Sequence, residues 1–210
     1  MENYNVKDWY WDPDGKVRDQ VRALGKLTVH ELKDRYHAPT AAKLVDHYLG
    51  GTGKSYELDT ATVDRFIKED STQYPNTDPP SKVIEMDRLN TMAAAVIETE
   101  KTGKPAKVTM TSPWQVVGGS SQDSVLSLGH YSISTTTVAI AEPGPSGQHR
   151  VQWWQEVHIY DQTVYGSNSS EYPGLQQTAI NNLFEAEQWG IAKPFITWGT
   201  SSVMSGGELM

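Results

Sequence analysis

The residues whose types and spacing could do chemistry lie in and after one stretch, residues 149–166, HRVQWWQEVHIYDQTVYG. Glu156, His158 and Tyr160 fall two apart, so on an extended chain they share a face. Asp161 follows at once, and Glu171 comes ten residues later. A carboxylate holds a hard cation through oxygen. An imidazole moves a proton near neutral pH. The expected catalytic group is therefore Asp161 with Tyr160 and His158. The expected ligands for Mg²⁺ or Ca²⁺ are Asp161, Glu156 and Glu171. Glu156 and Asp161 are five apart and face opposite sides of a strand, which speaks against a direct acid/base pair. The plainer reading of the same row is a solvated sheet face.

The element that must carry these groups is a strand. Val151, Trp153, Gln155, Val157 and Ile159 alternate with Gln152, Trp154, Glu156, His158 and Tyr160. That period of two puts an apolar face inward and a polar-aromatic face outward. Residues 142–147, EPGPSG, form a turn, which makes residues 149–160 the second strand of a hairpin.

Other motifs do not develop. GGTGKS at residues 50–55 lacks the glycine a phosphate loop needs at position 48, which is Tyr, and a helix comes before it. The six histidines show no metal-ligand spacing, and no serine sits in a G-x-S-x-G elbow. With no cysteine there is neither a disulfide framework nor a thiolate site.

Composition narrows the class. A chain of 210 residues with formal net charge −8 and no Lys/Arg run is a poor match for nucleic acid. No run approaches the roughly 18 apolar residues of a membrane span. The first sixteen residues lack the basic head and apolar core of a signal peptide. Export is therefore expected to depend on a carrier outside this chain. Trp9, Tyr10 and Trp11 are expected to tie an arm onto the core.

The elements follow in order. Thr28–Glu31 reads as a capping box opening a short helix to about Tyr36. Pro39 opens a helix that the Gly50-Gly51 pair stops, and a short strand SYEL follows. Asp59 caps the next helix. Ser81 caps the longest, Lys82 to Lys101, with an apolar stripe of Met86, Leu89, Ala93, Val96 and Ile97. After Pro105 the segments KVTMTS, WQVV, SVLSL and HYSISTTTVAIA read as strands. Residues 177–189 return to a helix, with Ile180, Leu183, Phe184 and Trp189 inward, and Pro194–Thr197 reads as a last strand. The expected fold is α+β, a helical N-terminal half packed on a mainly antiparallel sheet in the C-terminal half. The division falls at 1–104 and 105–210, within one compact unit.

Two stretches in this order resemble a known family. Residues 42–53, AKLVDHYLGGTG, resemble the A-x-x-HYL-x-G-x-G segment of colicin M-like bacteriocins. Leu128-Gly129-His130-Tyr131, the Thr-rich strand, the hairpin with Tyr160-Asp161, and the helix ending Trp189-Gly190-Ile191-Ala192 before Phe195 resemble that family's catalytic half. The likeness covers roughly residues 40–200. It implies an antibacterial toxin domain that is secreted or delivered into the periplasm of a target cell. There it would cut lipid II between lipid and pyrophosphate with a divalent cation, and an immunity protein would be a partner. The family's site is Asp-x-Tyr-Asp followed by His-Arg. Here His158-Ile159-Tyr160-Asp161 keeps Tyr-Asp, has His in place of the first Asp, and no His-Arg pair follows. Three classes stay open: an envelope-acting hydrolase, a non-catalytic toxin that binds or permeabilises the membrane, and a protein-binding module.

Overall fold

Gly15, at φ +67°, turns the chain into α1 (Lys16–Asp34), the first element of a computed structural model that describes residues 15–70, 77–165 and 177–210. The aromatic arm at Trp9–Trp11 and the expected ligand Glu171 lie outside the described residues. The other elements are α2 (Pro39–Leu49), β1 (Tyr56–Leu58), α3 (Thr60–Glu69), α4 (Pro80–Thr102), β2 (Ala106–Thr111) and β3 (Gln115–Gly118). After them come α5 (Gln122–Ser127), β4 (His130–Pro143), β5 (His149–Thr163), α6 (Gln177–Gln188), β6 (Phe195–Thr200) and β7 (Met204–Leu209). Among the described residues four of six α-helices precede Pro105 and six of seven strands follow it, so the fold is α+β. The strand order is β1-β6-β5-β4-β2, with β3 pairing β4 and β7 pairing β5.

By contacts the chain divides into two units, each discontinuous in sequence. The first is Met1–Glu57, Gly119–His130 and Asp161–Trp198. The second is Leu58–Gly118, Tyr131–Tyr160 and Gly199–Met210. Both take residues from each side of position 104, where the sequence suggested a division.

In the first unit α1 packs on α2 and α6, and α2 packs on α5. Ala38, before α2, has no capping side chain. Asp123 of α5 caps α2 instead, accepting from the Thr40 N–H at 3.0 Å and the Ala41 N–H at 3.1 Å. The expected capping box at Thr28 is not a helix start. Thr28 is buried inside α1 and its hydroxyl donates to the Leu24 carbonyl at 3.3 Å. A threonine inside a helix can bond back to residue i−4 instead of capping, and here residues 16–27 supply the earlier turns. The expected strand SVLSL is also overturned. Ser121 accepts from the Ser124 N–H and starts α5, burying Leu126 and Leu128.

In the second unit β4 and β5 form the hairpin, running antiparallel from Ser132↔Tyr160 to Pro143↔His149. β2 adds alongside β4 (Ala106↔Ala141) and β7 alongside β5 (Arg150↔Leu209). β7 carries no strand signal in the sequence, since Met204–Leu209 contains two glycines and no β-branched residue. The inner face of this sheet buries Ala139, Ala141, Val151 and Trp153 against Met92 and Ala95 of α4. Three polar groups pin helix to sheet. Thr99 donates to the Ala141 carbonyl at 3.1 Å, Thr135 to Asp87 at 2.9 Å, and Gln155 to the Ile84 carbonyl at 3.0 Å.

The predicted stripe of α4 is corrected in part by this packing, in which Val96 does lie against the core. Met86 and Ile97 are each half exposed, while Val83, Ile84, Thr91, Met92, Ala95 and Thr99 are buried. Apolar residues surround this helix, so its sequence does not single out one face. The face that packs on the sheet carries Met92 and Ala95 and meets the small side chains of Ala139 and Ala141. The start is also shifted: Pro80 occupies the first turn, a position proline suits, and Ser81 is inside the helix.

Candidate functional site

β5 carries the candidate residues, and its burial pattern alternates without a break from His149 to Ile159. Val151, Val157 and Ile159 are buried, as expected, while Trp154 and Tyr160 stay partly exposed. The strand thus sets Glu156, His158 and Tyr160 on its outward row, and the next step of the pleat turns Asp161 the other way.

On the outward row His158 is tied at both ring nitrogens. Its Nε2 lies 3.2 Å from Thr136 Oγ1 and its Nδ1 lies 3.2 Å from Thr200 Oγ1. Thr136 in turn meets Thr111 Oγ1 at 3.2 Å. Hydroxyl contacts at both nitrogens fix the orientation of the ring. The Tyr160 ring lies 5.9 Å from the Trp114 ring at 57°. Glu156 sits opposite Thr136 in the β4–β5 register and makes no hydrogen bond or ion pair among the described residues.

Asp161 belongs to the first unit and has a different setting. Beyond it Thr163 Oγ1 meets Thr197 Oγ1 at 2.9 Å, both fully buried, which ties the end of β5 to β6. Tyr165 follows, also fully buried. Burial, and after it the negative charge of Asp161, push the Tyr165 phenol up from its ordinary value of 10.0. The Tyr165 ring meets the Tyr48 ring edge-on, with centroids 4.9 Å apart, and the Tyr48 hydroxyl donates to Glu187 Oε2 at 2.5 Å. The arrangement is a half-buried carboxylate beside a phenol that stays protonated: a base or oxygen ligand next to a neutral hydrogen-bond donor. Tyr165 was not among the expected site residues. Its only sequence signal is a tyrosine four residues after Asp161, two places too late for the Asp-x-Tyr pattern.

The described part of the expected cation set does not come together. Glu156 and Asp161 are separated by roughly 16 Å of strand and point to opposite sides. Among the described residues no three His, Asp or Glu side chains group as metal ligands. A cation at Asp161 would not include Glu156 in its shell.

The residues of the AKLVDHYLGGTG segment hold α2 and the turn after it in place. The His47 ring packs edge-on against Phe195 (centroids 4.6 Å) and Tyr56 (5.2 Å), and its Nε2 lies 2.7 Å from the Lys54 carbonyl oxygen. The Tyr48 carbonyl accepts from the Lys193 N–H at 3.1 Å. Gly51 has φ +66°, and a Cβ there would collide with the Ile191 carbonyl oxygen. Only glycine satisfies both demands.

No family model matches the sequence, and no curated protein matches it. Among solved structures the chain is similar to PaeM, a colicin M-like bacteriocin produced by Pseudomonas aeruginosa. That match has a TM-score of 0.43 and 13% identity, over 82% of this chain and 51% of that one. It is also similar to truncated bacteriocin syringacin M from Pseudomonas syringae pv. tomato, with a TM-score of 0.39 and 12% identity, over 82% of this chain and 60% of that one. The chain thus spans about half to three-fifths of the length of these proteins.

Proposed function

We propose that this chain is an antibacterial toxin module that acts on the cell envelope of a target bacterium, hydrolysing a lipid-linked pyrophosphate of the lipid II type. The observation that carries the reading is Asp161, a half-buried carboxylate at the end of β5 beside a phenol held in its neutral form. Hydrolysis of such a bond needs a base to take a proton from the attacking water, and a charged carboxylate held in a fixed place can do this. The neutral Tyr165 hydroxyl supports the geometry by keeping the carboxylate's surroundings polar without competing for its proton. Tyr160 and His158 lie on the outward row and are assigned no proton transfer here. The motif likeness over residues 42–53 and 128–195 supports the choice of target class. No helix among the described residues is long and apolar enough to cross a membrane. The reading includes delivery into the periplasm by a carrier, and an immunity protein is the expected partner in a producing cell.

The experiment is expression in a bacterium with and without a periplasmic signal, reading growth and membrane potential, for the wild type and for Asp161→Ala checked by circular dichroism. Growth arrest is expected only with export. Asp161→Ala should lower cleavage of a purified lipid-linked pyrophosphate by roughly 10²–10⁴-fold. Full toxicity of a folded Asp161→Ala protein would replace hydrolysis with a non-catalytic action on the membrane.

A further inference from the structure

The outward face of the hairpin in the second unit is built unlike a solvated sheet face. α4 covers the inner side, and the outer side leaves Trp154 38%, Tyr160 40% and Trp114 55% exposed. Trp154 stands between Val138 on β4 and Ser205 on β7, and the next outward pair along is Gln152 with Gly207. Ser205 and Gly207 are small, and the indole stays 38% exposed among its neighbours. A cleft of about 250 Å³ opens beside it, lined by Trp154, Glu156, Thr136, Val138 and Val203. The Glu156 carboxylate and the Trp154 indole N–H make no hydrogen bond among the described residues. Next to the cleft runs the hydroxyl row Thr111–Thr136–His158–Thr200, whose contacts of 3.2 Å cross four strands. Along β5 the face therefore reads aromatic, carboxylate, imidazole, aromatic. Trp154 and Tyr160 are roughly 20 Å apart at the usual rise.

We infer that this face is a saccharide-binding site, with Trp154 as its stacking platform and Glu156 and the threonine row as its hydrogen-bonding edge. A pyranose ring has an apolar C–H face and a rim of hydroxyls. The C–H face suits a partly exposed indole, and the hydroxyls suit an unpaired carboxylate and indole N–H in the same cleft. The other ligand classes fit less well. A phosphate-bearing ligand would meet Glu156 and no cation in the cleft. An acyl chain would strip water from Glu156 and the hydroxyl row without replacing their hydrogen bonds. The span from Trp154 to Tyr160 is long enough for several linked rings. The inference does not depend on hydrolysis at Asp161, because the site is on a different face of β5 and its test involves no cleavage.

The test is calorimetric titration of the full chain with chitotetraose, cellotetraose and maltotetraose, with tryptophan fluorescence as a second readout. At least one of the three should bind. Trp154→Ala should weaken that binding roughly tenfold or more, and Glu156→Gln roughly threefold. Lys107→Ala, on β2 outside the cleft, should leave it unchanged. Amide shifts on titration, followed by NMR in the wild type, should centre on residues 152–158, which keeps the site testable if a variant does not fold. Absence of binding by all three saccharides at millimolar concentration would overturn the inference. So would a folded Trp154→Ala protein that binds like the wild type.

Discussion

Tyr165 and Tyr131 are phenols that the fold keeps neutral, and this ties stability to alkaline pH. Burial raises Tyr165 first, and the Asp161 charge adds to it. For Tyr131 burial leads again, followed by the Asp70 charge and the 2.8 Å hydrogen bond to Asp70. A raised folded pKa means that the unfolded chain gives up these protons first. Their contribution is intact below the ordinary value of 10.0 and is lost as pH climbs above it. Urea unfolding between pH 8 and 11 should therefore show stability falling above pH 10. Tyr165→Phe should remove up to one proton from that dependence, about 1.4 kcal/mol per pH unit. Equal slopes for the two proteins would disprove the link. At this scale the sequence showed the parity of β5 and therefore the outward row. It did not show Tyr165, because its burial comes from tertiary packing, and Tyr48, whose ring meets it, is more than a hundred positions away along the chain.

Between elements, Gly51 is where α2 ends and the segment after α6 comes closest. Its φ of +66° already disfavours any other residue, and the Ile191 carbonyl oxygen fills the space a Cβ would need. Gly103 has the same φ of +66° after α4, but nothing lies within 4 Å of its virtual Cβ. Gly51→Ala should thus cost about 3 kcal/mol, strain and overlap together, and Gly103→Ala about 1 kcal/mol from backbone strain alone. Denaturant midpoints of the two variants check this, and similar losses would show that the Ile191 approach relaxes easily. The helix stop itself was readable from the Gly50-Gly51 pair. Which of the two has the left-handed backbone was not, since Gly50 is right-handed and Gly51 is not.

At the scale of the molecule each unit takes its parts from distant stretches of chain, so a cut between residues 104 and 105 divides both. A fragment of residues 1–104 loses Asp123, which caps α2, and Tyr165 and Glu187, which pack on and bond to Tyr48. The complementary fragment loses Met92 and Ala95, and so exposes Ala139, Ala141, Val151 and Trp153. Neither fragment should show a cooperative thermal transition or a dispersed amide spectrum by itself. A folded 1–104 fragment would mean that the helices are self-sufficient.

What the sequence determined by itself is what repeats or ends within a few residues. The period of two in β5, the Asp59 cap that accepts from the Thr62 N–H at 2.7 Å, Pro39 opening α2, and the order of helices before strands all belong there. Each is a local preference of backbone and side chain, satisfied by near neighbours. The tertiary structure decided the rest. It ran α1 through Thr28, folded SVLSL into α5 and paired β7 onto β5. It also chose the buried face of α4 and set Asp161 beside a buried phenol while Glu156, His158 and Tyr160 stayed on the outward row. For β7 on β5 and for the buried face of α4 the deciding contacts join residues far apart in the chain, as Arg150 with Leu209 and Met92 with Ala139. Local propensities differ there by less than the free energy that such a contact contributes.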